Sequence, residues 1–592
     1  MVRAYTSGPV RIRIGPHPAQ PAAEPRPDAA AADASVDAIM AALDAGDLEG
    51  AARFSDQALR SGLQHPAPLA VMSMALESSG RFEEAIPYVR RALELEPANV
   101  SLMIALARCE LGVERPAGAL CALEAALGLE PSNWQAHTHK GQALEGLGRM
   151  VEAERSYTRA LELEPANLTA KAGLASLCSH FGAHQEARVH AQAVLEAAPD
   201  HAPAAIVVAV ADMAEGAPAA AEARIRRLIA GPGPGPWLSS YLGDALDAQD
   251  RVQEAFDAYT RSGETLRGIH AGQYAGNSVL QAAERTARFL ERLPADSWPR
   301  RAAGRPEPAG VEEHVFLLGF ARSGTTLLGL ALEGDEQVEL LDEQEPLTDA
   351  LQHFAGPDGL NRLLIATDAE LAALRTAYWR RARSAGATLE RRLFVDKQPM
   401  NSLHLPVIAR LFPGARILLA RRDPRDVVLS CFRRRFLMNR YTCHFLTAEG
   451  TARLYGAAMQ IADRMAELAS LETLVVAHED LVEDFDGEMG KVCGFLGLDW
   501  SDALRSFAGR VRSRGVATPS AAQLTRGLNS DGVGQWRRYA RQLEPLAPFL
   551  QPWVERFGYD GPAPGGAARR GSDLMKLAAP GADPSWTLPS AH

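Results

Sequence analysis

The stretch Val315 to Leu330, VFLLGFARSGTTLLGL, has the order of an apolar strand, a small-residue turn and an amphipathic helix. That order builds an anion site, because successive N–H groups of the turn and the positive end of the helix can surround a phosphate. Gly324 lets the main chain approach closely, while Ser323, Thr325 and Thr326 add hydroxyl donors. Gly319 and Gly324 keep the spacing of the nucleotide loop G-x-x-x-x-G-K-[ST], but Thr325 stands in the lysine position. Arg322 enters earlier in the loop instead, which suits a single phosphate or phosphosulfate held without metal. Asp396, at the end of LFVD, is the strand-end acid that a metal-dependent ATPase or kinase would use, and it keeps that alternative open. A second strand-turn-helix follows at 416–432, RILLARRDPRDVVLSCF, with Asp423 as N-cap and Pro424 at the first helical position.

The ARSGTTLL loop resembles the 5′-phosphosulfate loop of sulfotransferases, which use 3′-phosphoadenosine 5′-phosphosulfate. RILLARRDPRDVVLSCF is similar to their 3′-phosphate-binding element, in which Arg422 at the strand end and Ser430 eight residues later both reach the 3′-phosphate. AHEDLVEDFDGEM…FLGLDW and TPSAAQLTRGLNSDGVGQWRRY resemble later family segments, so the likeness covers about 314–558. Protein-tyrosine sulfotransferases and bacterial repeat-fused sulfotransferases are the relatives this pattern suggests.

Sulfuryl transfer needs a base for the acceptor proton and cations for the charge moving onto the leaving phosphate. In the protein-tyrosine enzymes a glutamate follows the loop arginine by 21 positions, and that count from Arg322 lands on Glu343 in LLDEQEPL. The resemblance therefore implies Glu343 as base, with Glu345 as runner-up and His353 and His404 as lower-ranked substitutes. Lys397 matches the family lysine that contacts the sulfonate and bridging oxygen, and Ser520 and Arg526 match positions near the nucleotide. His478 stands where the relatives have tyrosine, and is kept among the cofactor-binding residues. Gln535 replaces a phosphate-binding lysine, leaving Arg537 or Arg538 to supply the missing cation.

These residues need a frame. LFVD at 393–396, RILLA at 416–420 and TLVVA at 473–477 alternate with helix-like segments, the βαβ rhythm of a parallel sheet. Upstream, LELEPANV, LGLEPSNW, LELEPANL and EAAPDH place prolines at 97, 131, 165 and 199, always 34 residues apart. That period marks a helix-turn-helix solenoid resembling tetratricopeptide repeats, with weaker units expected at about 34–66, 202–234 and 236–269. The expected organisation is a tail at 1–34, an all-α solenoid at 35–293, a Pro/Arg-rich linker at 294–312, an α/β domain at 313–560 and a second tail at 561–592.

A chain of 592 residues with net charge −11 exceeds a single core and argues against general affinity for nucleic acid. Eight arginines between Arg416 and Arg440 nevertheless make a basic stretch. Those at 433, 434, 435 and 440 are read as a solvated helix face, with attraction of an acidic acceptor peptide as the alternative. The cysteines show no CxxC pair and no metal-ligand spacing, so reduced thiols and no metal are expected. No run of 18 apolar residues and no leader-like start occur, which suggests a cytoplasmic protein. The expected partner is an acceptor protein or peptide, held in the repeat groove. Carbohydrate, lipid or metabolite acceptors, and an inactive repeat scaffold, are the competing readings.

Overall fold

The structure, a computed structural model, describes residues 29–231, 235–274, 278–299, 308, 310–514, 524 and 527–560. The tail at 561–592, most of the tail at 1–34 and much of the 294–312 linker lie outside the described residues. Two compact units divide between Ala214 and Glu215, upstream of the change from helical to α/β sequence.

The first unit is a run of antiparallel helix pairs. Helices end at Leu95, Leu129 and Leu163, each two residues before a repeat proline. Asn99, Asn133 and Asn167 then cap the next helices by accepting from the N–H groups of Leu102, Ala136 and Ala170. Within each pair the chain reverses through one left-handed residue. These fall at Gly46, Gly80, Glu114, Gly148 and Gly182, and the 34-residue interval continues at Gly216 and Asp250 in the second unit. The weaker flanking repeats are therefore helical too, among them Leu48–Arg60, Pro218–Ala230 and Leu238–Asp247. A Cβ on Gly141 or Gly173 would meet the Tyr157 ring at 2.5 or 2.4 Å, so these glycines are the slot for that buried ring.

The second unit is built on a five-stranded sheet: β1 (Glu313–Leu318), β2 (Val338–Asp342), β3 (Leu393–Lys397), β4 (Arg416–Arg421) and β5 (Thr473–Ala477). All neighbours are parallel, in the order β2-β3-β1-β4-β5. Every residue of β3 and all but the first residue of β1 are buried, which is why both strands carry apolar runs, Val315–Leu318 and Leu393–Val395, bounded by His314, Asp396 and Lys397. One face carries an aromatic core of Phe316, Phe394, Tyr378, Trp379 and Phe412 around His314.

Four helices from the end of the helical region belong to this unit: Pro218–Ala230, Leu238–Asp247, Val252–Tyr274 and Val279–Arg292. Their contacts correct the reading of the basic stretch. Arg435 Nη1 donates to Asp244 Oδ2 at 2.7 Å and to Ser240 Oγ at 3.1 Å, and its guanidinium lies 3.9 Å from the Tyr241 ring centroid. Arg433 reaches Asp247 at 3.2 Å, and Arg440 reaches Glu345 at 3.4 Å. Arg434 is mostly buried, with Nε making no hydrogen bond. The charges of Arg433 and Arg435 are consumed by intramolecular pairing because helix Leu238–Asp247 presents Asp244 and Asp247 one turn apart.

Asp244 also accepts from Tyr259 Oη at 2.9 Å. Burial alone would raise its pKa, but Arg435 and Arg434 outweigh that and hold the carboxyl below the usual aspartate range. Such a depressed group stabilises the fold above its unfolded pKa, and the contribution is lost as pH falls through the folded value. Asp244→Ala is expected to cost about 3 kcal/mol by leaving Arg435 unpaired, read as a lower urea midpoint of the sheet-containing unit. Asp244→Asn should keep the shape and selectively reduce the acid-dependent part of the loss.

Candidate active site

Each strand delivers a predicted residue to the carboxyl edge of the sheet. Arg322 lies in the turn after β1, Glu343 directly follows β2, and Lys397 ends β3. Arg422 directly follows β4, and His478 directly follows β5. Central β1 pairs with β3 on one side and β4 on the other, so its turn occupies the topological switch point where α/β sheets open a crevice.

Gly324 adopts φ 100° and caps helix Thr325–Leu332, while Arg322 is left-handed at φ 70°. A non-glycine residue held there is a local strain of the kind found at binding sites. Ser323, Thr325 and Thr326 are all buried. A Cβ on Gly324 would sit 2.9 Å from His478 Nδ1, so the imidazole packs against the turn's main chain. Burial, followed by Arg422 and Arg322, pushes His478 down to about 3, which makes it a neutral ring.

The two predicted phosphate elements meet on one residue. Arg322 Nε donates to Ser430 Oγ at 3.1 Å, and Arg422 Nη1 donates to the Arg322 carbonyl at 3.0 Å. Arg422 also donates to the Gly532 carbonyl. Burial pulls Arg322 down to about 9, and the charges of Arg434 and Arg422 add to the fall. A guanidinium does not give up its proton under ordinary conditions, so the direction reports a crowded cationic site whose charge an anion would relieve.

On the other side of β1, buried Lys397 Nζ donates to Asp342 Oδ1 at 2.6 Å and to Glu343 Oε1 at 2.7 Å. Burial opposes its charge, but Glu343 and Asp342 outweigh burial and raise the pKa, leaving an ammonium. Glu343 is left-handed at φ 50°, and its N–H donates to the Lys397 carbonyl at 2.8 Å. Main chain and side chain together clamp this carboxylate beside the lysine.

Several sequence expectations do not join this centre. Glu345 pairs with Arg440 on the surface. His353 is exposed and pairs with Glu370. His404 is half-buried with Nε2 at 2.9 Å from Tyr441 Oη and is pushed down to about 3, chiefly by loss of solvent. Arg538 is committed to Asp247 and Asp250 at 2.9 Å each. Arg537 lies near the Trp536 ring, whose other neighbour Arg425 sits 3.6 Å from the ring centroid. Gln535 turns to the Asp531 carbonyl at 2.8 Å. Ser520 and Arg526 lie outside the described residues.

Asp396 is likewise excluded from the loop, since strand alternation sends it to the opposite face from Lys397. There it accepts from Tyr378 Oη at 2.7 Å, and Tyr378 Oη lies 3.0 Å from His314 Nε2. The strand-end acid of a metal-dependent nucleotide site is therefore directed away from the loop.

Sequence reasoning missed the supports. Asp342 shares Lys397 with Glu343. Glu479 accepts from Asp423 N at 2.9 Å and from Tyr559 Oη at 2.8 Å, bracing the turn that carries Arg422. Asp426 accepts from Gly534 N at 2.6 Å and Trp536 N at 2.8 Å, drawing the C-terminal segment onto helix Pro424–Arg433. The adjacent HED and DPRD acids were the available signals.

Residues 314–502 match the model of the sulfotransferase family, and 66–109, 104–157 and 152–202 match tetratricopeptide repeat models. The chain carries a sulfotransferase-family domain after tetratricopeptide repeats. An uncharacterized protein of Aquifex aeolicus (strain VF5) is 25% identical over 260 residues, 42% of this chain and 34% of that protein. The chain thus spans about a third of that relative's length. A putative protein-tyrosine sulfotransferase of Caenorhabditis briggsae is 26% identical over 264 residues, 43% of this chain and 91% of the relative. The sulfotransferase domain of the Synechococcus PCC 7002 olefin synthase aligns at TM-score 0.31 and 23% identity, over 44% of this chain and all of that one.

Within the sulfotransferase domain, burial pushes Asp396 up to about 7, partly opposed by the Tyr378 hydrogen bond. A carboxyl with a raised folded pKa stabilises below its unfolded value near about 4, and that contribution is lost as pH rises through the folded value. Stability of the sheet-containing unit should therefore decline from mildly acidic pH toward about 7. Asp396→Asn should flatten this decline, as read from denaturation midpoints across pH.

Proposed function

We propose that this domain transfers a sulfuryl group from 3′-phosphoadenosine 5′-phosphosulfate to an acceptor hydroxyl, with tyrosine in a protein or peptide as the leading acceptor. The convergence of Ser430 and Arg422 on Arg322 carries the reading, because it joins a 5′-phosphosulfate loop to a 3′-phosphate element. Arg322, Ser323, Gly324, Thr325 and Thr326 would hold the phosphosulfate, with His478 fixing the loop. Arg422 and Ser430 would turn to the 3′-phosphate, and Ser520 and Arg526 would complete the nucleotide site.

Glu343 would take the acceptor proton as the acceptor oxygen bonds to sulfur and the bond from sulfur to the bridging phosphate oxygen breaks. Lys397 would stabilise charge on that bridging oxygen as adenosine 3′,5′-bisphosphate departs. The chemistry asks for positioned cations and a base, and needs no metal ion in principle. The tyrosine acceptor is supported by the name borne by the Caenorhabditis relative. The repeats would engage the acceptor protein, as such arrays commonly serve protein recognition. Six free cysteines support a reducing compartment, the cytoplasm, and no described helix is long and apolar enough to cross a membrane.

Calorimetry is expected to show adenosine 3′,5′-bisphosphate binding that survives chelation and exceeds ATP binding. Arg422→Ala should weaken it by about 1.5–3 kcal/mol. Because Arg422 also braces two main-chain segments, Ser430→Ala is the gentler variant, with an expected loss of about 0.5–1.5 kcal/mol. Unchanged affinity in both would remove the 3′-phosphate assignment.

Glu343→Gln keeps the shape of the base and much of its hydrogen bonding. Nucleotide binding should stay near normal while transfer of labelled sulfur falls roughly 10²–10⁴-fold. Glu345→Gln, which breaks only a surface pair, should cost far less. The reverse pattern would show that the acceptor is deprotonated elsewhere.

A further inference from the structure

We propose that Cys178, Glu186 and His190 form a binding site for a divalent transition metal of the zinc or cobalt class, joining the two helices of one repeat. Cys178 lies in the last turn of helix Leu168–His180. Glu186 and His190 stand one turn apart on the returning helix His184–Ala197. The reversal through Gly182, at φ 77°, brings the helices side by side, and one donor atom from each of the three residues lies within 4.8 Å of the others.

In a tetrahedral site with metal bonds of about 2.0–2.3 Å, ligand atoms stand roughly 3.5 Å apart. Side-chain torsions can therefore close this triad without moving the helices. Thiolate, imidazole and carboxylate together suit zinc and cobalt better than magnesium or calcium, and three protein ligands leave a fourth position for water.

Repeat packing does not call for the cysteine or the histidine, although glutamate recurs at the middle position. The equivalent triplets 34 residues apart are Leu76, Glu84 and Tyr88; Glu110, Gly118 and Ala122; Leu144, Glu152 and Ser156; and Asp212, Ala220 and Arg224. Leu76 and Leu144 fill the cysteine's position as buried core. None of the other triplets offers three donors of this kind.

The test uses the full chain, stripped with chelator and titrated with cobalt(II). A thiolate-to-cobalt charge-transfer band should grow in the near ultraviolet, saturate at a single equivalent and vanish on adding zinc. It should persist in Cys121→Ser and Cys443→Ser, disappear in Cys178→Ser, and weaken strongly in His190→Gln and Glu186→Gln. The metal should raise the melting temperature of the parent chain but not of Cys178→Ser. Absence of a saturating band, or its survival in Cys178→Ser, would overturn the site. Should Cys178→Ser lose helical circular dichroism, the two variants on the returning helix decide the matter. A band unchanged in both would also overturn it.

Discussion

Five strands that all run the same way must end on the same edge, and the placement of the candidate chemistry follows from that geometry. Parallel pairing requires each strand to return through a helix on a face of the sheet, so each carboxyl end opens into a connection free to carry function. Arg322, Glu343, Lys397, Arg422 and His478 come from positions scattered over more than a quarter of the chain, yet each stands at or within a few residues of such an end. Their neighbourhood is a consequence of strand direction before it is a consequence of any side-chain contact. The order with β1 in the centre adds a division between two sides, since Glu343 and Lys397 lie toward β2 and β3 while Arg422 and Ser430 follow β4.

The local contacts then separate charges into two sets. Lys397 is neutralised by Asp342 and Glu343, so its burial is compensated within the protein. Arg422 and Arg434 lie close enough to depress Arg322, and the hydrogen bonds of Arg422 described above go to main-chain carbonyls. Neutral partners orient a guanidinium but do not cancel its charge. A polyanionic ligand provides that cancellation, which makes this side of the crevice electrostatically suited to a nucleotide carrying phosphates at both ends.

The fold class was legible because its signals are local. A 34-residue period, a strand followed by GFARSGTT, and Asp-Pro at a helix start each express backbone requirements satisfied within a few residues. The meeting of the two strand-turn-helix segments at Arg322 was legible for the same reason, each half being a continuous segment. What escaped depends on contacts distant in sequence. Arg435 is paired by Asp244, nearly two hundred residues upstream, and no periodicity within 416–440 could have announced it. Asp396 and Lys397 are adjacent in sequence but belong to opposite faces, so strand alternation decides their company. Cys178 meets Glu186 and His190 only because antiparallel helices return on each other, a relation absent from any short spacing rule.

Asp250 occupies the turn position that glycine fills at 46, 80, 148, 182 and 216, and it adopts the same left-handed backbone. Together with Asp247 it holds Arg538, and Asp247 also accepts from Tyr539 Oη at 2.7 Å. A repeat position ordinarily given over to conformational ease has here become a fastening point for the last segment of the sulfotransferase domain. Modularity in this protein is therefore not the modularity of its sequence families. A fragment cut where the family match begins would strand several arginines without their acids, whereas one cut at Glu215 keeps the domain with its own foundations.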